Sequence, residues 1–449
     1  MKGLEIEMAS PESSEEPVEG SWQECWGVWF KWTDGHLTPK QLGPLIYSYD
    51  TIATEAAESL YGIAPPSHDT SAKNEGSPQD IKPEDEKTTR RDMYELMQEY
   101  ASKDEKVGKL WAEINTVPEW VDWEQIERGQ KIFFRYGGPA ISSVRKNSTK
   151  NRTKKAKKIY SLRIPQLTFL SLLGGMGSAR TVETLDRTGG FDVKVVRRRL
   201  LETVQHTLNV HRDIRPGGDG FKDSVRVRLL HASVRRRILQ MASQQPGYYD
   251  TARSGVPIND LDSLGTINVF SAAIIWIGLP RQGIYMRQQE ILDYLALWRY
   301  VAYVMGTPHD WMATPTSAKC MMQSLAFSEI RPSAASANLA NNILTGLADQ
   351  PPAYASREFM CAQTHWLNGR ALADKLDVER PGWYYFCLVL GQCVFFMTVS
   401  YINRSIGFLD ERHIRVSHPP HIFLFSRGRQ THTYLDTISS RGMRIARTK

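Results

Sequence analysis

Apolar residues recur at three- and four-residue spacing through most of residues 162–402. This period is typical of helices that bury one face, and the glycines and prolines of the span fall between the periodic segments. Helices are predicted over residues 178–188, 193–210, 222–242, 260–277 and 286–305. Alternating strand patterns are scarce here, so the pattern predicts an all-α fold.

Residues 382–402 are uncharged and rich in Phe, Tyr, Val, Leu and Cys. The stretch is long enough to cross a bilayer. A helix that is apolar on all sides can equally form the buried centre of a large bundle. Gly391 and Gln392 weaken the membrane interpretation, so we favour burial and keep membrane contact as the alternative.

The polar segments near the N-terminus predict the domain boundaries. Residues 1–20, which are acidic and rich in Ser and Pro, are predicted to be disordered, and residues 64–105 are predicted to be a largely disordered linker. In both, the few apolar side chains cannot offset the entropy of ordering. Residues 106–449 then form the helical domain. The start of the chain lacks the features of a secretory signal, which predicts an intracellular protein, either cytoplasmic or associated with an internal membrane.

Residues 21–63 form a Trp-rich segment between these polar stretches. Trp22, Trp26 and Trp29 follow the i, i+4, i+7 spacing of one helix face. That spacing predicts a helix packed on a core, with a membrane interface as the alternative because Trp is enriched there.

Charge and cysteine content exclude some classes of protein. The net charge is +7, and residues 145–158 hold eight Lys or Arg without an acid, which predicts a solvated basic insertion. No aromatic residue is interleaved for base stacking, so no nucleic-acid partner is predicted. The five cysteines include no CxxC pair, which argues against a zinc site or a disulfide framework.

The segment of residues 222–240, KDSVRVRLLHASVRRRILQ, carries the candidate chemistry. One helical face holds an apolar stripe that contains a single imidazole: Val227, His231, Val234 and Ile238. Arg228 and Arg235 flank His231 at −3 and +4, on the same side of the helix. Two guanidinium groups beside a buried histidine are costly unless an anion meets them.

A haem accounts for all three features of this segment. The porphyrin needs apolar walls, the iron takes an axial imidazole and the propionates bind Arg. The plainer interpretation is a core histidine bonded to a carbonyl beside surface arginines. A DNA-recognition helix is a third interpretation, although the apolar stripe leaves no wide polar face for a groove.

The span RRLLETVQHTLNVHRDIRPGGDGFKDSVRVRLLHASVRRR, residues 198–237, resembles the catalytic domain of rubber oxygenases (latex-clearing proteins) and mpaB-type haem oxygenases. PEWVDWEQIERGQKIFFRYG, IPQLTFLSLLGGMGSARTVETLDRTGGF, GVPINDLDSLGTINVFS and YLALWRYVAYVMG also resemble it, in the same order. The resemblance implies a globin-related helical bundle that encloses haem b. It implies that His231 is the proximal iron ligand and that Arg228 and Arg235 lie near the propionates.

The resemblance also implies residues on the distal side of the haem. The family segment Arg-Leu-x-Lys-Thr matches residues 184–188, where Thr188 is retained, Arg187 stands for Lys and Thr184 stands for Arg. Thr188 and Arg187 are therefore predicted to tune O2 binding and turnover without holding the haem. The chain has no acid between Glu127 and Glu183, where rubber oxygenases carry a proposed base.

Two further groups of residues were weighed as site candidates. Arg299 lies in an apolar helix and is predicted as a third guanidinium in the pocket; the alternative is an Arg that extends from a core helix to solvent. Asn259, Asp260 and Asp262 are interpreted as a helix cap and first turn, since no histidine lies close enough to complete a metal site.

These observations together predict a haem-dependent oxygenase that uses O2 to oxidise an apolar terpenoid or polyketide-derived side chain, by cleavage of a C=C bond. One alternative is mono-oxygenation or epoxidation by the same haem. Another is a non-catalytic haem-binding or lipid-binding protein. A basic nucleic-acid-binding protein is the remaining class, and it predicts a colourless preparation.

Overall fold

The computed structural model describes residues 16–63, 92–136, 171–351 and 354–417. These residues are helical except for one short hairpin, which confirms the all-α prediction. The predicted basic insertion at 145–158 and nearly all of the predicted disordered segment at 1–20 lie outside the described residues.

The N-terminal elements are β1 Trp22–Cys25, β2 Val28–Lys31, α1 Pro39–Leu42, α2 Thr51–Ile63, α3 Met93–Tyr100, α4 Glu105–Asn115 and α5 Trp123–Tyr136. The central helices are α6 Ala179–Thr188, α7 Val193–Val210, α8 Asp219–Gln244, α9 Thr251–Ser254, α10 Asp260–Phe270 and α11 Gln288–Val304. The C-terminal helices are α12 Pro315–Glu329, α13 Ala334–Leu347, α14 Arg357–Leu367, α15 Arg370–Lys375, α16 Trp383–Ser405 and α17 Gly407–Ser417.

Most predicted helix boundaries agree with the structure within about two residues. The predicted helix over 260–277 is the exception, because α10 ends at Phe270. Ser271 leaves the helical region with φ −119° and ψ −93°, and a π-helical turn follows at Ile274–Gly278. The apolar period continues across this break, so periodicity alone does not reveal it.

Helix α8 is central to the bundle and contacts α2, α3, α7 and α11. Close packing of α5 on α11 supports the same core. A Cβ atom at Gly129 would stand 2.3 Å from the backbone oxygen of Asp293 and 3.1 Å from the Cβ of Leu297. Glycine at this position therefore sets how closely these two helices approach.

Trp22, Trp26 and Trp29 lie in a β-hairpin at the start of the Trp-rich segment, and the predicted helix there is wrong. Trp22 pairs with Lys31 and Glu24 pairs with Trp29. Trp26 and Gly27 have φ of 53° and 79°, the two positive values that a two-residue turn joining twisted strands requires. The tryptophan spacing matches a helix face by coincidence.

The predicted linker over 64–105 is corrected at its C-terminal end; residues 64–91 lie outside the described residues. Helix α3 begins after Asp92, whose side chain accepts a hydrogen bond from the Tyr94 amide. Tyr94, Leu96 and Met97 are buried in the main core. The helical domain therefore starts before residue 106, and α2 belongs to its core through Ala53, Ala56, Ala57 and Leu60.

The uncharged stretch at residues 382–402 forms α16, and the prediction that this helix is buried is wrong. Trp383 is 78% exposed and Phe395 is 50% exposed, and only 17% of its most apolar window is buried. By length and composition alone, α16 and the stretch Asp260–Gly278 could each cross a membrane, but half of the latter is buried in the protein.

Candidate functional site

His231 lies in the middle of α8, as the sequence predicts. The helix begins after the turn at Gly217 (φ 83°) and is uninterrupted to Gln244. Val234 and Ile238, which follow His231 on its face, are buried with Tyr249, whereas His231 itself is partly exposed. The imidazole therefore stands at the edge of an apolar cluster and keeps an opening towards solvent.

The His231 ring has no polar partner within the part of the chain that the structure describes: neither nitrogen makes a hydrogen bond. Burial lowers the pKa of His231 to about 3, and the positive charges of Arg235 and Arg199 act in the same direction. The imidazole is consequently neutral at physiological pH, which is the form that binds a metal ion.

Helix α7 lines the opening with polar residues that the sequence interpretation missed. Arg199 and His206 both lie close enough to act on the charge of His231. Glu202 lies between them on the same face and is paired with Arg198 Nε at 3.1 Å and with Arg199 Nη1 at 3.9 Å. The i, i+3, i+7 spacing of Arg199, Glu202 and His206 was the available signal.

His206 and His211, which the sequence does not predict as ligands, both have hydrogen bonds within the protein. His206 Nε2 is 2.9 Å from Ser224 Oγ, and burial lowers the pKa of this ring. His211 Nδ1 is 2.7 Å from the Thr207 carbonyl oxygen, and its ring stacks on Phe133 at 3.7 Å between centroids. Burial lowers the pKa of His211 to about 3.

Thr188 ends α6 beside the same opening. Its hydroxyl donates to the Leu185 carbonyl at 2.7 Å and accepts from the Gly190 amide at 3.3 Å. A Cβ at Gly190 would stand 3.4 Å from Thr188 Oγ1 and 3.2 Å from Arg199 Nε. The end of α6 is thus next to the residue of α7 that acts on His231.

Arg187 packs on the apolar cluster below the imidazole. Its guanidinium carbon lies 5.1 Å from the centroid of the Tyr248 ring, and its buried Nε has no hydrogen-bond partner among the described residues. Thr184 Oγ1 and the Tyr249 hydroxyl are 3.4 Å apart, and burial raises the pKa of Tyr249 to about 12. Arg187 and Thr184 thus contact the two tyrosines of the apolar cluster that also holds Val234 and Ile238.

Arg228 pairs with acidic residues of the protein itself. This corrects the expectation that an external anion is needed to balance its buried charge. Its Nε and Nη2 donate to the Asp50 carboxylate at 2.6 and 3.0 Å, and Nη2 also donates to Glu113 at 2.8 Å. The side chain is only 2% exposed. Asp50 and Glu113 thus supply the negative charge that had been assigned to the propionates.

Arg235 is corrected in the same way. Its guanidinium donates to the carbonyl oxygens of Pro257 at 3.1 Å and Ile258 at 2.6 Å, and to Thr54 Oγ1 at 2.7 Å. The side chain is buried. It joins α8 to α2 and to the loop before α10, and its donors do not point to the opening beside His231.

Arg299 lies away from this constellation. Its guanidinium carbon is 4.1 Å from the centroid of the Trp120 ring, and Nη2 reaches the exposed Asp310 at 3.4 Å. No interaction links it to His231 in the described residues. The position of Arg299 fits the alternative interpretation, an Arg that extends from a core helix to solvent.

Asn259 caps α10, as predicted, because its side chain accepts a hydrogen bond from the Asp262 amide at 2.9 Å. The Asp262 carboxylate accepts a hydrogen bond from Thr181 Oγ1 at 2.9 Å and forms an ion pair with Arg180 at 3.3 Å. Asp262 therefore serves the junction of α6 and α10. The described residues contain no group of three or more His, Cys, Asp or Glu that could hold a metal ion.

Three comparisons with known proteins bear on this arrangement. A search of curated proteins finds no significant match. Among solved structures, "Structure of Latex Clearing Protein LCP in the closed state" matches with a TM-score of 0.49 and 15% identity, over 71% of this chain and 80% of that chain. Residues 166–389 match the family model described as "ER-bound oxygenase mpaB/B'/Rubber oxygenase, catalytic domain". Through these residues, which contain α6, α7, α8 and His231, the chain belongs to this oxygenase family.

Proposed function

We propose that the protein is a haem b oxygenase in which His231 is the axial iron ligand. The observation that carries this proposal is the neutral imidazole of His231, which has no hydrogen-bond partner among the described residues and stands at the edge of an apolar cluster. The side chain is partly exposed, so its ring nitrogens are accessible to a ligand. Family membership supports the oxygenase activity itself.

The residues around His231 fit a haem in part. Val227 is partly exposed one turn before His231 and offers apolar surface to a porphyrin, while Val234 and Tyr249 form the buried cluster beneath. Arg228 does not fit as a propionate partner because it is saturated by two carboxylates. We assign that role to Arg199, which acts on the charge of His231 from the α7 side and is partly exposed.

When bound, the haem supplies activation of O2 for the oxidation of an apolar side chain, most directly cleavage of a C=C bond to carbonyls. The low pKa of His231 keeps its ring unprotonated over the physiological range. Thr188 and Arg187 offer a hydroxyl and a guanidinium on the side of α6. Glu202 offers the carboxylate that residues 128–182 lack.

A His231→Ala variant tests the assignment of the ligand. The ratio of Soret to protein absorbance should fall at least tenfold while the helical circular dichroism signal persists. His206→Ala should retain haem, and so should His211→Phe, which keeps the stack on Phe133. Normal haem content in His231→Ala would place the ligand elsewhere and reject the proposal.

Oxygen uptake separates the oxygenase from a non-catalytic haem protein of the same fold. The haem-loaded protein should consume O2 with a polyisoprenoid substrate and not with its fully hydrogenated counterpart. Carbonyl products indicate C=C cleavage, whereas an epoxide or alcohol indicates mono-oxygenation. Haem binding without uptake on any unsaturated substrate would favour the non-catalytic alternative.

A further inference from the structure

Helix α16 presents an apolar stripe to solvent along its whole length. Residues 383–403 contain no charged side chain. At 100° per residue, the exposed large apolar residues of α16 all fall within about half of the helix circumference, so they share one side. This α16 stripe consists of Tyr384, Leu388, Leu390, Val394, Phe395 and Ile402, with Trp383 at its start.

The opposite face of α16 is attached to the protein at both ends. In the N-terminal half, Val389 and Cys393 are buried against α14, and Gln363 Nε2 donates to Gln392 Oε1 at 2.6 Å. In the C-terminal half, the Tyr401 hydroxyl donates to the Gly283 carbonyl at 3.2 Å. The helix therefore lies flat on the protein and leaves one side uncovered.

This attachment is incompatible with a membrane-spanning helix. Arg404, near the C-terminal end of α16, donates to the Tyr285 carbonyl at 2.8 Å and lies 3.9 Å from Glu290. Arg135 pairs there with both Glu290 and Asp410. A spanning orientation would carry these ion pairs and the helix α14 towards the hydrocarbon, where charged groups are costly.

We propose that the α16 stripe docks in the interface of a lipid bilayer, with the helix axis parallel to the membrane plane. An apolar helix face of this kind enters the boundary between head groups and acyl chains. Trp383 and Tyr384 lie at one end, where amphipathic aromatic rings prefer the head-group level. Phe408, 71% exposed on the following helix, extends the same apolar surface.

The dimensions of the stripe favour a bilayer over a second copy of the chain. A helix of 23 residues is about 34 Å long and about 10 Å wide, which gives roughly 340 Å² of outward surface. A stable protein interface needs about 800 Å² from each partner. A single convex helix falls short of that area, whereas lipid chains adapt to its shape.

The charge near the stripe selects the class of lipid. Arg412 and Arg415 of α17 are exposed beside its C-terminal end, against one exposed acid of the same helix, Glu411. Anionic head groups should therefore strengthen docking, and added salt should weaken this gain. This proposal does not depend on the haem, because His231 takes no part in it.

Vesicle flotation of the full-length protein tests the proposal. The protein should float with vesicles of phosphatidylcholine and phosphatidylserine, more weakly with phosphatidylcholine alone, and a Val394→Glu/Phe395→Glu variant should partition at least tenfold less. The matched control is Tyr47→Glu/Val117→Glu, which places the same charges at exposed apolar positions elsewhere. Unchanged circular dichroism and Soret bands show that the variants fold.

Three outcomes would overturn interfacial docking. The first is wild-type protein that does not float, and the second is a stripe variant that floats as well as the control. The third is a wild-type dimer in sedimentation experiments that the stripe variant converts to a monomer without any vesicle binding. Protein that stays in the membrane after an alkaline carbonate wash would instead indicate a spanning helix and would reject the orientation.

Discussion

The two sides of helix α8 differ in how completely their polar groups are satisfied. On the side of α2 and α4, Arg228 and Arg235 direct almost all of their donors to carboxylates, carbonyls and a hydroxyl. On the side of α6 and α7, His231 has no hydrogen bond among the described residues and Arg187 Nε has none either. The first side holds the fold together, and the second is where we propose that the haem binds.

This difference shows that charged residues flanking a candidate ligand need not serve it. Arg228 and Arg235 lie about one helical turn from His231 on either side, where residues that bind the same cofactor are expected. Arg228 nevertheless pairs with Asp50, 178 residues away, and with Glu113, 115 residues away. Arg235 donates to Thr54, 181 residues away, and to carbonyl oxygens 22 and 23 residues away. A partly exposed imidazole without a partner among the described residues is the better guide to function, because its nitrogens can bind a ligand without breaking an existing hydrogen bond.

Among changes on the α2 and α4 side of α8, removal of Arg228 should lower the free energy of unfolding the most. Arg228→Met leaves Asp50 and Glu113 without their cation, and breaking a buried ion pair costs about 3–5 kcal/mol of unfolding free energy. Chemical denaturation of the haem-free protein measures this loss. A cofactor role alone predicts little change in that measurement.

Neutralisation of the acids provides the control. Adding Asp50→Asn and Glu113→Gln to Arg228→Met should restore most of the stability, because no uncompensated charge remains. An Asn at position 50 can still accept the Ala53 amide, which Asp50 Oδ1 accepts at 3.1 Å. A triple variant as unstable as Arg228→Met would show that packing, not charge, explains the effect.

His211 should make the stability of the protein depend on pH. Its pKa is about 3 in the folded protein and about 6.5 when unfolded, so the unfolded state binds more protons below pH 6.5. Stability is therefore lost as the pH falls, by about 2 kcal/mol between pH 6.5 and 5. His211→Phe should flatten the curve by that amount, and an unchanged slope would mean that the ring is already exposed to water.

Changes on the open side should affect turnover more than cofactor content. Thr188→Ala, Arg187→Ala and Glu202→Gln should each keep the Soret absorbance, because none of them ligates the iron. Each should lower O2 uptake by about tenfold, or about 1.4 kcal/mol in the activation free energy. Arg253→Ala is the matched control, since Arg253 is exposed and pairs with Glu183 in the middle of α6.

Loss of haem in Arg187→Ala would move this residue from the distal side to cofactor binding. Full activity in Thr188→Ala would remove the role of its hydroxyl, which already has two hydrogen bonds within the chain. Either result would show that the residues on the α6 and α7 side of α8 contribute less to turnover than we propose.

Local sequence signals predicted the helices and the position of His231, because both depend on residues within a few turns. Helix α7 was predicted with its observed ends: its apolar period is unbroken and Asp192 caps it. The partners of Arg228 were not predictable in this way, since Asp50 lies 178 residues away and carries no local signal.

Burial was the property that composition predicted least well. An uncharged helix is apolar on every side whether it lies in a core or on a surface, so the exposure of α16 had no signature. The hairpin was missed for a related reason. Its turn places Trp26 at a positive φ, where Asn, Asp or Gly is the usual indication of a two-residue turn.

The pairing of Asp50 with Arg228 also imposes an order on biosynthesis. At about 5–20 residues per second, a ribosome completes the intervening 178 residues in about 10–35 s. During that time α2 has emerged without the helix on which it packs. Its core-facing side chains are mostly alanines, with Leu60 as the large one, so the waiting segment offers little apolar surface to other nascent chains.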